Sequence, residues 1–465
     1  ANADEGRQVG HFWLRAPERA PTVEIATAIA DVGDRARELA RAVRRGEVTN
    51  GFGEPFTEAL LVGIGGSALG PQLLVDALAE DVLGRRRGLA VRFLDNTDPD
   101  GVARELGRLG DDLRRTLVVV VSKSGSTPEP NNALALVRAS LRALVGDDAG
   151  HLIAVTVEGS GLHALALREA WRAVLPMWEW VGGRFSWSSA VGLFPAELAG
   201  IDVAGLIAGA RDMDDWTRVR AWRDNPAAVL AGGWYVVGGG RGERAMVMLP
   251  YADRLVLLSR YLQQLVMESV GKEHDRGGAV VHQGLTVYGN KGSTDQHAYV
   301  QQLRDGRDDF FAVFLQVLAT DADDPVLPDG FRAGDHLQGF LLGTRRALAE
   351  SGRRSMTLTI TEVGAYTLGG LLALFERAVA VYASLIDVNA FHQPGVEAGK
   401  RAAKDVLALG ARVMQALADG PATIGELAER LGADPTEILY LLSRKRQLGQ
   451  VRHEGGGLDG TWRNG

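Results

Sequence analysis

Residues 59–79 read ALLVGIGGSALGPQLLVDALA and join an apolar run to a helical pattern through a glycine-rich turn. The run Ala59–Ile64 predicts a buried strand, and Pro71–Ala79 has the spacing of a helix. Three further β-branched runs follow at Val91–Leu94, Thr116–Val121 and His151–Val157. Another helical pattern, Asn131–Leu144, lies between the last two. Because strands alternate with helix-length segments, this part of the chain predicts βαβ units and a parallel sheet buried on both faces.

The same alternation continues in the second half of the chain. Its strand-like runs are Ala245–Leu249, Val280–Val281 with Thr286–Val287, Phe311–Val317 and Ser355–Ile360. Helical patterns lie at Leu255–Met267 and Ala365–Ile386. The second pattern is as apolar as a membrane span, but Glu376 and Arg377 at its centre would be costly in a bilayer, so we expect a buried helix. The chain therefore predicts an α/β protein with two domains of similar style.

Residues 411–465 have a different pattern. Two short helices are expected first, at Ala422–Leu431 and Pro435–Leu442. Thr423 and Glu426 have the spacing of a capping box at the start of the first helix. Arg452–Trp462 predicts a β-ribbon, so the order is that of a small winged-helix-like module. Residues 412–465 contain seven basic and seven acidic side chains, and this balance argues against binding to nucleic acid.

Composition excludes several kinds of site. The 465 residues include no cysteine, which excludes disulfides, thiolate nucleophiles and cysteine-ligated metals. The nine histidines show no metal-ligand spacing. With 51 basic and 58 acidic residues, the chain is mildly acidic, so an anionic ligand needs local positive charge. Ala1–Pro17 lacks the apolar core of a signal peptide, and together with the absence of disulfides this predicts a cytoplasmic protein.

Two motifs at strand ends are suited to binding an anion. In GIGGSALG, residues 63–70, Gly66 and Ser67 lie between a strand and a helix, where the backbone can approach a ligand. Taken alone, this motif could equally be a tight turn. The second motif, SKSGSTPE at residues 122–129, gathers four hydroxyls and a lysine before a helix that Pro128 can begin. A helix cap needs only one or two such residues, so a phosphate site is favoured over a serine-rich cap.

Four further residues are candidates for catalysis, either by stabilising charge or by carrying protons. Arg184 stands in GGRFS, residues 182–186, and its guanidinium would suit charge that develops on substrate oxygens. Glu268 continues the apolar stripe of the preceding helical pattern, so its carboxylate faces inward and is either functional or part of a buried salt bridge. His297 and Lys400 lie near polar turn residues and could carry protons. Taken alone, the arginine, histidine and lysine could each be an ordinary structural or surface residue.

Together these segments closely resemble the phosphoglucose isomerase family, in the order in which that family has them, from Leu60 to Lys400. The resemblance implies two sugar-isomerase (SIS) domains, each a doubly wound parallel sheet, with the active site between them. We place these domains at residues 1–205 and 206–410, with the winged-helix-like extension at 411–465. The resemblance also implies the reversible interconversion of glucose 6-phosphate and fructose 6-phosphate in glycolysis and gluconeogenesis, through a cis-enediolate. No metal or organic cofactor is implied.

The resemblance also assigns roles to individual residues. The substrate-binding residues would be Gly66, Ser67, Ser122, Lys123, Ser124, Thr127, Glu129 and Gln393, with residues 122–127 holding the phosphate. Glu268 matches the base that moves a proton between C1 and C2, and Arg184 matches the group that stabilises the enediolate. His297 and Lys400 match the residues associated with ring opening. The family's histidine comes from the neighbouring subunit, which implies a homodimer.

Three departures from the family pattern are expected to affect rate, pH dependence or sugar preference more than the reaction class. Val270 stands where many relatives have asparagine, and His392 replaces the usual aspartate before QPGVE. Pro128 and Pro130 bracket Glu129. Two alternatives stay open: an isomerase that also accepts mannose 6-phosphate, and a sugar-phosphate sensor that acts on DNA through its C-terminal module.

Overall fold

The structure, a computed structural model, describes residues 3–455 and 460–465, apart from the side chains of residues 3, 396 and 397. The chain divides into two compact units, Ala1–His392 and Gln393–Gly465. The strands are β1 (Glu58–Val62), β2 (Ala90–Leu94), β3 (Thr116–Val121), β4 (Leu152–Val157), β5 (Ala173–Met177), β6 (Ala245–Pro250), β7 (Lys272–His274), β8 (Val280–Gln283), β9 (Val287–Tyr288), β10 (Phe310–Val317), β11 (Ser355–Ile360), β12 (Val451–Glu454) and β13 (Thr461–Asn464).

The α-helices are α1 (Val23–Arg44), α2 (Leu69–Leu78), α3 (Pro99–Leu109), α4 (Pro128–Val145), α5 (Gly161–Arg168), α6 (Ala190–Leu198), α7 (Val203–Trp216), α8 (Pro226–Val237), α9 (Leu258–Leu262), α10 (Val300–Asp305), α11 (Ala333–Glu350), α12 (Ala365–Leu385), α13 (Pro394–Ala418), α14 (Ile424–Leu431) and α15 (Pro435–Gln447). A π-helix, Gln263–Glu268, continues α9, and short 3₁₀ turns connect several elements.

The first sheet is parallel and has the strand order β2-β1-β3-β4-β5. Every residue of β1 and β3 is buried, as expected for strands covered on both faces. The order reverses between β1 and β3, and open α/β sheets bind ligands outside the carboxyl ends of the strands at such a point. Two segments emerge there: residues 63–67, called the glycine turn, and Ser122–Thr127, called the hydroxyl loop. The fold thus brings both predicted anion-binding motifs to the carboxyl ends of two neighbouring central strands.

β5 was not predicted from the sequence. It contains Pro176, and proline in an apolar run argues against a strand because it cannot donate a ladder hydrogen bond. The strand order explains why proline is tolerated, since β5 is the edge strand and pairs only with β4. The four predicted strands of this sheet are confirmed, β3 at the predicted bounds and the others with ends that differ by one or two residues.

The second sheet is also parallel, with the order β11-β10-β6-β9. The predicted strands at Ala245–Leu249, Phe311–Val317 and Ser355–Ile360 are confirmed. The run Val280–Val281 does not join this sheet, contrary to the prediction. It lies in β8, which pairs antiparallel with β7 in a small separate hairpin. Its strand-like composition therefore indicated a strand correctly but could not indicate the partner, which depends on the tertiary fold.

α12 is the one described helix that is long and apolar enough to cross a membrane by length and composition, and 72% of its apolar window is buried inside the protein. Glu376 at its centre accepts hydrogen bonds from Arg15 Nη1 at 2.5 Å and from Trp187 Nε1 at 3.0 Å. The helix packs against α7 and α8. A buried, ion-paired carboxylate at the middle of the helix agrees with the predicted core helix.

The second unit begins with α13 and ends with an antiparallel ribbon of β12 and β13. The predicted capping box is confirmed, since Thr423 Oγ1 accepts from the Glu426 N–H at 3.2 Å and the Glu426 carboxylate accepts from the Thr423 N–H at 2.7 Å. Leu427, Ile438 and Trp462 lie in its hydrophobic core. The order of two helices and a ribbon is the predicted one, and the likeness to a winged helix stays a prediction.

The predicted domain boundaries differ from the two compact units. The boundary at 205/206 falls inside α7, and the boundary at 410/411 falls inside α13. Both parallel sheets belong to the first unit. The division into three domains stays a prediction.

Candidate active site

The glycine turn after β1 packs directly on the turn that carries Arg184. A Cβ atom on Gly66 would lie 2.1 Å from the carbonyl carbon of Gly183, so only glycine fits at this contact. Ser186 Oγ donates to the carbonyl oxygens of Gly66 and Gly183, at 3.2 and 2.7 Å. Ser67 lies half-buried in the same turn. Two motifs that are far apart in the sequence therefore form one surface.

The hydroxyl loop turns sharply between β3 and α4. Gly125 has a φ of +69°, and a Cβ there would lie 2.2 Å from the backbone nitrogen of Leu162. The Ser122 hydroxyl accepts from the Gly125 N–H at 3.1 Å, and the hydroxyls of Ser124 and Ser126 are 2.9 Å apart. These contacts fix the loop immediately before the helix.

α4 begins at Pro128, as predicted, and polar groups at its start are available to a ligand. Within the described part of the chain, the Thr127 side chain makes no capping hydrogen bond. Oε2 of Glu129 is buried and has no hydrogen-bond partner among the described residues. The first N–H groups of an α-helix lack partners within the helix and favour an anion. This end of α4 can therefore bind a phosphate, while Glu129 can accept a hydrogen bond from a sugar hydroxyl.

Lys123 is held by the segment that precedes the arginine turn. Its Nζ donates to the carbonyl oxygens of Glu179 and Val181, at 2.8 and 3.2 Å, and lies 3.3 Å from the Glu179 carboxylate. Burial lowers the pKa of Lys123, and the nearby charge of Arg7 lowers it further. Among the described residues, its ammonium contacts this segment rather than the hydroxyls of the loop.

Arg184 and Glu268 form an ion pair, with 3.3 Å between Nη1 and Oε2. The guanidinium is held on its other sides as well: Nε donates to Ser269 Oγ at 2.7 Å, and Nη2 donates to the carbonyl oxygen of Ala390. Burial lowers the pKa of Arg184, and the Glu268 carboxylate opposes this shift. The side chain of Arg184 is 2% exposed and that of Glu268 is 19% exposed. The pair thus combines a fixed cation with a carboxylate that a ligand can reach.

Glu268 is the last residue of the π-helix Gln263–Glu268. The sequence predicted one helix over Leu255–Met267, whereas the structure has α9 followed by a π-helical segment. π-Helical turns are rare and often occur at functional sites. The wider winding leaves Leu265 fully buried while the carboxylate three residues later stays accessible.

Sequence reasoning missed three neighbours of this pair: Gln264, Ser269 and Lys272. Gln264 Nε2 lies 3.1 Å from the position that a Cβ on Gly65 would take, so its amide reaches the glycine turn. Lys272 is 5% exposed, and its Nζ donates to the carbonyl oxygen of Glu268 at 2.6 Å. Burial, and then the charge of Arg184, lowers the pKa of Lys272 to about 7. All three lie within about one helical turn of Glu268 in the sequence, and this spacing could have indicated that they are its neighbours.

His297, one of the two ring-opening candidates, makes no bond to the ion pair. It is exposed at the end of the turn Thr294–His297, and within the described residues it has no hydrogen bond or ion pair with Arg184 or Glu268. Gln393 and Lys400 belong to the second unit, where Gln393 directly precedes α13 and Lys400 is exposed on that helix. The roles of these three residues stay predictions.

Two of the departures from the family pattern lie beside the ion pair. Val270 is fully buried, and an asparagine there would need hydrogen-bond partners in the core. The backbone oxygen of His392 accepts from Arg184 Nη2 at 3.4 Å, and its ring Nδ1 lies 3.0 Å from the carbonyl oxygen of Asn389. Burial, and then the charge of Lys272, lowers the pKa of His392. A neutral ring beside Arg184 avoids adding another positive charge to the site.

The assembled groups are suited to moving a proton on carbon. A carboxylate can remove a proton from a carbon beside a carbonyl if a neighbouring cation stabilises the enediolate that forms. Arg184 and Glu268 provide this combination beside the glycine turn, and Lys123 of the hydroxyl loop donates to the carbonyl oxygen of Val181, three residues before Arg184. Among the described residues, no three His, Asp or Glu side chains are grouped as metal ligands would be.

Comparison with known proteins gives one consistent family. A model of the phosphoglucose isomerase family matches residues 1–328 and 344–421. The chain is 54% identical over 455 residues to the glucose-6-phosphate isomerase of Synechococcus sp. (strain JA-3-3Ab), a match that covers 96% of this chain and 84% of that protein. It is 51% identical over 449 residues to the glucose-6-phosphate isomerase of Thermosynechococcus vestitus, with the same two coverages of 96% and 84%.

Solved structures agree with these sequence matches. A glucose-6-phosphate isomerase from Chlamydia trachomatis superposes with a TM-score of 0.77 at 27% identity and covers 86% of this chain and 78% of its own. A hypothetical protein from Thermus thermophilus superposes with a TM-score of 0.73 at 32% identity and covers 87% and 91%. With the family model and the relatives above, the conclusion is that this chain belongs to the phosphoglucose isomerase family.

Proposed function

We propose that this chain interconverts glucose 6-phosphate and fructose 6-phosphate, with Glu268 as the base and Arg184 as the group that stabilises the enediolate. Family membership and relatives named glucose-6-phosphate isomerase support the reaction. The observation that carries the residue assignment is the 3.3 Å contact between the buried guanidinium of Arg184 and the accessible carboxylate of Glu268.

In this mechanism Glu268 takes the proton from the carbon next to the open-chain carbonyl and returns it to the neighbouring carbon. The C–H electron pair becomes the C=C bond of a cis-enediolate, and negative charge moves to the oxygen that was the carbonyl. Arg184 faces that charge from a buried position, where electrostatic attraction is stronger than in water. One carboxylate thus performs both proton transfers on carbon, while the proton of the neighbouring hydroxyl passes to the former carbonyl oxygen as the new carbonyl forms.

The hydroxyl loop binds the phosphate in this proposal. The hydroxyls of Ser122, Ser124 and Thr127 and the first N–H groups of α4 are the donors, and Lys123 adds a positive charge nearby. The support is the sharply turned loop before an 18-residue helix, with the Thr127 hydroxyl making no capping bond within the described chain. Gly66, Ser67, Glu129 and Gln393 would position the sugar.

Lys272 acts as a positioning residue in the same proposal. Its Nζ donates to the Glu268 carbonyl oxygen at 2.6 Å, where the π-helix ends. That bond anchors the backbone of Glu268 while the carboxylate remains accessible. Burial beside Arg184 lowers the pKa of Lys272 to about 7, so the side chain adds positive potential close to the developing enediolate in its protonated form, which dominates below that pH.

Ring opening requires a second acid–base pair, since the cyclic sugar has no carbonyl. We assign this step to His297 and Lys400 on the family resemblance. His297 is exposed in the isolated chain, which supports its donation to the site of a neighbouring subunit. The proposal therefore includes a homodimer in which each active site uses His297 of the partner chain.

We also propose a cytoplasmic location. The chain has no cysteine and so no disulfide that an oxidising compartment would favour. The substrates of the proposed reaction belong to glycolysis and gluconeogenesis, as the family resemblance implies.

The direct test is turnover of fructose 6-phosphate, coupled to glucose-6-phosphate dehydrogenase. Wild type should be active, and Glu268→Gln should lower kcat by about 10²- to 10⁴-fold, the range for loss of a general base. Glu273→Gln is the matched control, because it removes an exposed carboxylate on the neighbouring strand β7. No turnover by folded wild type, or equal turnover by both variants, would contradict the proposal.

A further inference from the structure

A cluster of arginines lines a pocket near the amino ends of the strands of the first sheet. Its pocket has a volume of about 630 Å³ and is lined by five arginines: Arg41, Arg44, Arg45, Arg86 and Arg87. Thr57 and Leu89, which directly precede β1 and β2, are also part of the lining. The pocket is therefore at the amino ends of these strands, whereas the glycine turn and the hydroxyl loop follow carboxyl ends. Among its lining residues, all of which the structure describes, none is acidic.

Two of the arginines share a single carboxylate. Arg41 Nε and Arg44 Nη1 lie 3.1 and 3.3 Å from the same oxygen, Oε1 of Glu197. The Glu197 side chain is 5% exposed, so it is a fixed internal anchor rather than a mobile surface group. One carboxylate cannot neutralise two guanidinium groups, and a positive charge is left over at the pocket.

The other three arginines add to this excess. Arg45 pairs with Glu47 and Arg86 pairs with Glu80, and all four side chains are exposed, so water weakens both contacts. The guanidinium of Arg87 has no ion pair among the described residues. The ion pairs of the five arginines thus involve three glutamates, and Glu38 also lies close enough to act on Arg45, so positive charge is still in excess at the pocket although the chain has a net charge of −7.

The backbone under these arginines is tightly fixed. The Leu89 N–H donates to the carbonyl oxygen of Leu198 at 2.9 Å, and a Cβ on Gly88 would lie 2.3 Å from that same oxygen. Arg44 Nη2 donates to the carbonyl oxygen of Arg87 at 3.2 Å, which joins α1 to this segment. The backbone positions from which Arg44 and Arg87 extend are therefore fixed relative to each other.

We propose that this pocket binds a small anion with linked phosphate groups, either a free polyphosphate or the phosphate chain of a nucleoside triphosphate. Guanidinium forks match phosphate oxygens in two-point contacts, and arginine is the residue best suited to this geometry. A single phosphate can engage two forks, whereas a chain of phosphates can engage the arginines of α1 and those of the Arg86–Arg87 segment together. Double-stranded nucleic acid fits less well, because it requires an extended basic stripe, whereas these arginines are grouped around one open depression.

This site is separate from the proposed isomerase chemistry and does not depend on it. The arginine pocket lies at the amino ends of the strands of the first sheet, and the glycine turn and the hydroxyl loop lie at their carboxyl ends. The two sites share no residue. A polyphosphate can therefore bind while the hydroxyl loop is occupied by substrate.

The test is calorimetric titration of the full chain with inorganic tripolyphosphate, and separately with adenosine triphosphate, at low and at physiological ionic strength. The pocket variant is Arg45→Gln/Arg87→Gln, which leaves Glu197 paired and should fold normally. Arg85→Gln is the matched control, since Arg85 is the neighbouring exposed arginine, pairs with Asp81 and does not line the pocket. Thr127→Ala shows whether the probe binds the hydroxyl loop instead.

We expect a binding event that Arg85→Gln and Thr127→Ala retain and that the pocket variant weakens by about tenfold or more, because two charge-assisted contacts are lost. Higher ionic strength should weaken it further. Equal affinities for the two probes would identify the phosphate chain as the ligand, and tighter binding of the nucleotide would identify the nucleotide; both outcomes support the site. Absence of the event in wild type at low ionic strength, its survival in the pocket variant, or its loss in Thr127→Ala would overturn the proposal.

Discussion

The carboxylate of Glu268 lies 3.3 Å from the guanidinium of Arg184, and the two residues come from opposite halves of the first unit. Arg184 follows the last strand of the first sheet, and Glu268 ends the π-helix that follows β6 of the second sheet. Since the guanidinium is almost fully buried and the carboxylate is not, the arginine is the fixed member of the pair and the glutamate is the member that a ligand can reach.

Replacement of Arg184 tests its proposed role in stabilising the enediolate. Arg184→Lys keeps the positive charge but loses the fork that also bonds Ser269 Oγ and the Ala390 carbonyl oxygen. We expect kcat to fall by about 10²- to 10³-fold with a smaller change in KM, because the interaction forms chiefly in the transition state. Arg172→Lys is the control, since Arg172 donates to backbone carbonyl oxygens away from the site. A main effect on KM would show that Arg184 binds substrate instead.

Replacement of Thr127 tests the phosphate site. Thr127→Ala removes a hydroxyl that makes no capping bond in the described chain, so stability should change little. KM for fructose 6-phosphate should rise by about 10- to 100-fold, the worth of one hydrogen bond to a charged group, with a smaller effect on kcat. Thr423→Ala, which removes a capping hydroxyl in the second unit, is the control and should lower stability alone. An unchanged KM for Thr127→Ala would remove the residue from the phosphate site.

Much of the fold could be predicted from local sequence. Buried β-branched runs such as Thr116–Val121 identify central strands because both faces must be apolar, and this strand is confirmed at the predicted bounds. β5 could not be recognised, because its proline is tolerated only at a sheet edge, and strand order is not visible in a single run of residues. For the same reason, Val280–Val281 could be recognised as a strand but could not be assigned to its hairpin.

The site was predicted less completely than the fold. The glycine turn and the hydroxyl loop could be recognised because each has a local pattern that ends a strand. The contact of Gly66 with Gly183 and the ion pair of Arg184 with Glu268 depend on how distant parts of the chain pack together. The spacing of residues in the sequence does not indicate this packing. Lys272 was missed because a lysine is usually on the surface, and only the structure shows that it is buried.

Lys272 should make stability depend on pH. Its pKa is about 7 in the folded chain against 10.5 in the unfolded chain. Between these two pH values the unfolded state binds more protons than the folded state, so the free energy of unfolding should rise as the pH rises from 7 to 10.5. The same stability is lost when the pH falls from 10.5 to 7. Compared with Lys272→Met, wild type should gain about 4 kcal/mol across this window.

Denaturant unfolding followed by circular dichroism at several pH values measures this difference. Lys404→Met, which removes an exposed lysine, controls for the loss of a positive charge. Parallel pH profiles for wild type and Lys272→Met would show that the ammonium is not held in a buried site.

The proposed homodimer predicts complementation between inactive variants. In a dimer of Glu268→Gln with His297→Ala, one active site would contain both mutations and the other neither, if His297 is donated by the partner chain. A random mixture of the two variants, refolded together, should therefore recover about one quarter of wild-type activity, because about half of the dimers are mixed and each has one intact site. No recovery in mixed dimers that are shown to form would place His297 in the site of its own chain.

The most direct measurement follows fructose 6-phosphate in deuterium oxide by nuclear magnetic resonance, recording product formation and deuterium at C2 of glucose 6-phosphate. Wild type and Glu273→Gln should form product that carries deuterium at C2, because a proton held on the accessible Glu268 carboxylate exchanges with solvent during turnover. Glu268→Gln should bind fructose 6-phosphate but form neither product nor deuterated substrate. If Glu268→Gln forms product or takes up deuterium within about threefold of the wild-type rate, far less than the loss expected for a general base, Glu268 is not the group that moves the proton.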